Sequence, residues 1–108
     1  MLPAGTSDDD KRGRQAAACP ALLTLADQTR LRGVTGDLSR GGVCVLLDQP
    51  VRPAQYCAVA IETGAGTALA MGQVIYSLPE NGLYKTGIQF IELDPPSAAL
   101  IATLVDKI

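Results

Sequence analysis

The sequence predicts an all-β domain, a six-stranded antiparallel β-barrel with one C-terminal α-helix. Its 108 residues, 47% of them hydrophobic, suffice for one core and leave little for a second domain. Apolar and polar residues alternate in short segments separated by turn-forming residues, a pattern typical of antiparallel strands. Near the end the apolar period becomes helical, and the open end of a barrel would supply the surface that a short, one-sided helix must cover.

Turn signals divide the first 93 residues into six predicted strands. The segment 56–62 alternates with a period of two, as a half-buried strand does. Asn81 and Gly82 indicate a tight hairpin because both tolerate positive φ. The three glycines of 36–42 indicate another turn, and the prolines of 48–53 exclude that segment from a central ladder. The predicted strands are 21–26, 30–35, 43–47, 56–62, 67–78 and 83–93.

The spacing of the last apolar residues predicts a helix over 95–107. Asp94 can cap its N-terminus, Pro95 suits its first turn, and Lys107 lies at the end that favours a cation. The apolar residues at helical spacing are Leu100, Ile101, Leu104, Val105 and Ile108.

Composition also divides the chain into a tail and a domain. Residues 1–10 are small and polar and are expected to be disordered. The domain is predicted to span 11–108, with an arm at 11–19, a barrel at 20–93 and the helix at 95–107.

Charge and hydropathy restrict the partners and the compartment. A net charge of −2 and a pI near 4.8 exclude a broad basic surface, so we expect no DNA or RNA polymer as partner. The low aromatic content, 4%, argues against an oligonucleotide-binding barrel that stacks bases. Apolar runs fall short of the roughly 20 residues of a membrane span, so we expect no membrane insertion. The N-terminus lacks a secretory signal, which predicts a cytoplasmic protein.

The side chains that most enzymes need are missing. Without histidine, Ser-His and Cys-His catalysis and most zinc sites are excluded. The three cysteines, Cys19, Cys44 and Cys57, are widely spaced and match small buried residues better than a disulfide framework. We therefore predict a binding or regulatory module, not an enzyme, with no cofactor, no metal and no catalytic residue.

The segment 36–42 is the strongest candidate site. Asp37 and Ser39 are two residues apart, so in an extended segment they point to one side, and together they can accept from and donate to the edge of a base. Gly41 and Gly42 would let a ligand approach the backbone closely. The alternative is structural: Asp37 and Ser39 could form an Asx- or ST-turn before the next strand.

A basic run in the arm is the second candidate. Arg12 and Arg14, with Lys11, could clamp phosphate, because guanidinium groups pair with phosphate oxygens two at a time and stack on purines. The alternative is that this run is simply solvated.

These motifs, in this order, resemble the PilZ domain family, bacterial receptor modules for cyclic di-GMP. The family pattern is an arginine pair, RxxxR, followed by [D/N]xSxxG, and residues 37–42 (DLSRGG) fit the second motif in full. Residues 53–61 look like the family's P-x-Q-x-x-x-V strand and 87–91 like its G-[VI]-x-F segment. In the arm, Arg14 stands at the second arginine's position, while Asp10 occupies the first.

The resemblance implies a receptor that binds cyclic di-GMP without chemistry and passes the signal to a protein partner not yet identified. Asp37 and Ser39 would contact guanine, Gly41 and Gly42 would permit close approach, and Arg14 with Arg12 would hold phosphate. It equally allows an adaptor that binds no nucleotide and acts by protein contacts in pilus or flagellar control. We expect a monomer or a weak dimer.

Overall fold

The computed structural model describes residues 14–15 and 18–106, and within them the fold is a closed barrel. Its elements are β1 (Arg14–Gln15), β2 (Pro20–Leu25), β3 (Arg30–Ser39), β4 (Gly42–Leu47), β5 (Tyr56–Glu62), β6 (Thr67–Glu80), β7 (Leu83–Leu93) and α1 (Pro95–Val105). The strand order is β3-β2-β5-β6-β7-β4, and β4 pairs back with β3 to close the ring. Every pair is antiparallel, and β1 adds to β3 outside the ring. The predicted fold class is confirmed.

The core fills the barrel because alternate residues of each strand point inward. In β5, Cys57, Val59 and Ile61 are buried, whereas Tyr56 and Glu62 are exposed. The largest fully buried side chains are Leu23, Leu38, Leu47, Ile61, Ile101, Val45, Val59, Val74 and Thr86.

The turn between β3 and β4 is tighter than the sequence predicts. The turn predicted over 36–42 is wrong in its extent: β3 runs through Ser39 and β4 starts at Gly42, so only Arg40 and Gly41 connect them. Gly36 does not end the strand, because the β3–β4 ladder absorbs it as a bulge.

The hairpin at Asn81-Gly82 is confirmed. Both residues have positive φ, 53° and 83°, as a two-residue hairpin connection requires. The flanking strands continue to this turn, so that Pro79 lies inside β6, opposite Tyr84 at the hairpin end. At that position a missing N–H does not break a central ladder.

The C-terminal helix covers the barrel with its buried residues Ile101 and Val105. Asp94 caps it as predicted, since its carboxylate accepts a hydrogen bond of 2.9 Å from the Ser97 N–H. The helix ends at Val105, so the predicted range 95–107 is slightly too long, and Lys107 lies outside the described residues. The tail predicted over 1–10 also lies outside them. No helix in the described part is long and apolar enough to cross a membrane.

Candidate functional site

A bulge in β3 sets the direction of the two polar residues of the candidate motif. Thr35 and Asp37 pair with consecutive residues of β4, so Gly36 is the extra residue. Thr35 is buried before the bulge and Leu38 is fully buried after it, which means that the inward face changes from odd to even positions. Without Gly36 as an extra residue, Asp37 and Ser39 would continue the inward set. The bulge therefore places both side chains on the outer wall of the barrel.

Ser39 also has a local structural bond. Its hydroxyl donates to the Gly42 carbonyl oxygen at 3.3 Å, across the two-residue connection between β3 and β4. This bond agrees in part with the turn interpretation of the motif. The Ser39 oxygen keeps acceptor capacity while it donates, so a ligand N–H could still approach it.

The two glycines of the motif have different surroundings. A Cβ at Gly42 would lie 2.5 Å from the Ile88 carbonyl oxygen, because β4 and β7 approach closely there. A Cβ at Gly41 would meet no described atom within 4 Å. A side chain at position 42 would thus disturb the pairing of β4 with β7, whereas the space beside the Gly41 Cα is open.

A shallow pocket of about 310 Å³ lies beside the motif. Asp37, Ser39, Gly41 and Gly42 all line it, so the structure brings together the four motif residues that the sequence singled out. The remaining lining residues are Leu38, Val43, Cys44, Ile75, Tyr76, Gly87, Ile88 and Gln89.

The far wall of this pocket is formed by β6 and β7, and the sequence did not assign its residues to the site. Tyr76 pairs with Gly87 across the two strands, and a Cβ on Gly87 would clash with three adjacent atoms of the Tyr76 ring. The Tyr76 ring therefore occupies the space that a side chain at Gly87 would need, with Gln89 exposed nearby at the pocket wall. An aromatic residue opposite a strand glycine is a known pairing, but only the register of β6 on β7 identifies the partner.

Two ionisable groups at the pocket wall are held neutral. Burial raises the pKa of the Cys44 thiol, and the charge of Asp37 adds to this, while Lys85 and a hydrogen bond from the Tyr76 hydroxyl act in the opposite direction. Burial likewise raises the pKa of Tyr76. At neutral pH the wall thus presents a neutral thiol and a neutral phenol beside the carboxylate of Asp37.

The backbone of the arm runs next to the motif. Arg14 pairs with Ser39 and Gln15 pairs with Leu38, on the same edge of β3 that pairs with β2. The second predicted phosphate contact, Arg12, lies outside the described residues. The structure thus brings the backbone of Arg14 to the candidate site.

An ion pair joins the site to the helix. The Arg40 guanidinium lies 2.6 Å from the Asp106 carboxylate, which links the β3–β4 connection to the C-cap of α1. Both side chains are mostly exposed, so the pair adds little to stability. Within the described residues, no three His, Cys, Asp or Glu side chains group as metal ligands would.

Comparison with known proteins gives a family match. The family model described as the PilZ domain matches residues 10–107. A search of curated proteins finds no relative by sequence.

Several solved structures share the fold. The inhibitor of motility MotI/DgrA from Bacillus subtilis is similar with a TM-score of 0.75 and 14% identity, covering 87% of this chain and 48% of that chain. This chain thus spans about half the length of that protein. The PilZ domain of YcgR from Escherichia coli, solved with c-di-GMP, has a TM-score of 0.69 and 18% identity, covering 87% and 86%. The PilZ domain of CeSA from a cellulose-synthesizing bacterium has a TM-score of 0.65 and 23% identity, covering 87% and 95%.

Proposed function

Because the chain belongs to the PilZ domain family, we propose that it binds cyclic di-GMP and communicates the bound state to a protein partner. It acts as a receptor and catalyses no reaction. The YcgR domain from Escherichia coli was solved with this ligand, and the Bacillus subtilis neighbour is an inhibitor of motility.

One observation carries the proposal: the bulge at Gly36 directs Asp37 and Ser39 of the DLSRGG motif outward, and both line the pocket. A guanine base presents two neighbouring N–H donors on one edge, and a carboxylate can accept from both. The Ser39 oxygen adds an acceptor on the same strand. Asp37 and Ser39 therefore supply complementary groups for a guanine edge.

The basic residues of the arm would supply positive charge next to the acidic residue of the motif. The pairing of Arg14 with Ser39 brings the arm backbone alongside the motif, as a phosphate contact by Arg14 and Arg12 requires. Guanidinium groups suit phosphate because they pair with two of its oxygens and stack on bases. The ligand would thus lie between the outer wall and the arm.

Isothermal titration of the chain with cyclic di-GMP, GTP and a linear guanine dinucleotide tests the proposal. We expect the cyclic ligand to bind most tightly, because only it presents guanine and both phosphates in one compact shape. No heat at high micromolar cyclic ligand in low salt would overturn the proposal.

A second candidate function is an adaptor that binds no nucleotide and acts by protein contacts. Asp10 favours it, because an acidic residue stands where the family has its first arginine. The titration separates the two functions, since the adaptor gives no heat with any nucleotide.

A separate prediction concerns the two arginines of the arm. Arg14→Ala should weaken cyclic di-GMP binding roughly 10- to 100-fold, because one hydrogen bond to a charged group contributes about 1.5–3 kcal/mol. Arg12→Ala should weaken it less, and Arg14→Lys should also lose affinity because an ammonium group cannot pair bidentately. Titration of the three variants measures the differences. Loss of binding in Arg12→Ala with normal binding in Arg14→Ala would instead identify Arg12 as the clamp.

A further inference from the structure

An apolar groove of about 450 Å³ runs along the outer face of β2, β5 and β6. Ala58 and Ala60 of β5 line its centre, and Leu22 of β2 lies on one side. On the other side, Leu69 is 55% exposed and Met71 is 46% exposed. These apolar side chains line one continuous groove, and contiguous exposed apolar surface is a feature of protein interaction sites.

This groove is separate from the proposed ligand site. In the six-stranded ring, β5 lies three strands away from β4 in either direction, so it is on the opposite wall of the barrel. The pocket that Asp37 and Ser39 line shares no residue with the groove. A partner bound in the groove would leave the ligand site open.

The register places a large residue beside a small one in two successive rows. Leu69 pairs with Ala60, and Met71 pairs with Ala58. A twofold axis parallel to the strands and midway between β5 and β6 would lay β6 of one copy over β5 of the other. Leu69 and Met71 of each copy would then cover the two alanines of its partner, which is the self-complementarity that a twofold interface requires.

The charged residues at the two edges of the groove are of opposite sign, as the same twofold axis requires. Glu92 pairs with Met71 at one edge, and Arg30 pairs with Thr24 at the other. Neighbouring strands are about 4.8 Å apart, so the axis would lay β7 of one copy over β2 of the other. Glu92 would then lie over the partner's Thr24, one strand away from the partner's Arg30 in β3. Neither side chain forms an ion pair within the described part of the chain.

We infer that the chain forms a twofold homodimer through the outer faces of β5 and β6. The occupant of each groove is the second copy of the same chain, held by Leu69 and Met71 at the centre and by two Arg30–Glu92 pairs at the edges. The barrels stack with their strands aligned, and the two ligand sites face away from each other.

Sedimentation equilibrium of the full chain tests the apolar contacts of the proposed dimer interface. Wild type should be dimeric at high micromolar concentration, and Leu69→Lys should weaken the dimer roughly 100-fold or more, because the symmetry removes the contact twice. The matched control is Leu78→Lys, which changes a 56% exposed leucine of the same strand outside the groove. It should remain dimeric. A wild type that is monomeric at every concentration, or equal weakening by the two variants, would overturn the homodimer.

A charge exchange tests the orientation. Arg30→Glu and Glu92→Arg should each be monomeric alone, because each places like charges opposite one another. An equimolar mixture should form a heterodimer, since every pair is then of opposite charge. Failure of the mixture to associate would overturn the proposed axis. Unchanged thermal melting and unchanged cyclic di-GMP titration of the variants would show that dimer formation and ligand binding are independent of each other.

Discussion

Replacing Asp37 by asparagine is expected to weaken cyclic di-GMP binding about 100-fold. The carboxylate would accept two hydrogen bonds from guanine, and the amide of the same size offers one acceptor and turns an N–H toward the base. Hydrogen bonds to a charged group contribute about 1.5–3 kcal/mol, and about 2.7 kcal/mol is a factor of 100 in affinity. Isothermal titration of the variant measures the change.

The matched control is Asp48→Asn, which removes an exposed carboxylate with the same change of net charge outside the pocket. It should bind like wild type. If Asp37→Asn binds within twofold of wild type while its melting temperature is unchanged, Asp37 does not contact the base.

Gly42→Ala is expected to destabilise the fold by about 1–3 kcal/mol, because a methyl group forced into a filled space displaces backbone. The new Cβ would lie 2.5 Å from the Ile88 carbonyl oxygen, where β4 pairs with β7. For a domain of this size each kcal/mol lowers the melting temperature by about 4–8 °C. Calorimetry of the variant without ligand checks this expectation.

Gly41→Ala is its control, since the neighbouring glycine has no described atom within 4 Å of the added carbon. Its melting temperature should stay within about 4 °C of wild type, as expected for a surface substitution of less than roughly 0.5 kcal/mol. Equal loss of stability in the two variants would contradict the close approach of β4 and β7.

The sequence identified the barrel because its strands carry their own local signals. The alternation in 56–62 and the Asn-Gly turn at 81–82 match β5 and the β6–β7 hairpin of the structure. The end of β3 had no such signal, because the glycines of 36–42 are typical of a turn although β3 continues through Ser39. Whether a glycine ends a strand or bulges within it is decided by pairing with β4, which local sequence does not encode.

Part of the candidate site could be predicted from the sequence, and part of it only from the structure. Asp37, Ser39, Gly41 and Gly42 are close in sequence, so one motif revealed them together. Tyr76 and Gln89 reach the pocket only through the register of β6, β7 and β4. The segment 87–91 matched a family pattern, but that match did not assign Gln89 to the site. The phosphate role of Arg12 and Arg14 stays a prediction, of which the structure contributes the pairing of the Arg14 backbone.

Titration of the isotope-labelled chain with cyclic di-GMP, followed by amide chemical shifts, tests the central claim most directly, because it reports both binding and location. We predict shifts at residues 37–42 on the motif and 87–89 on the facing wall, with 58–60 and 69–71 in the opposite groove unchanged. Spectra that stay the same at saturating ligand, or shifts confined to residues outside the pocket, would contradict a cyclic di-GMP site at Asp37 and Ser39.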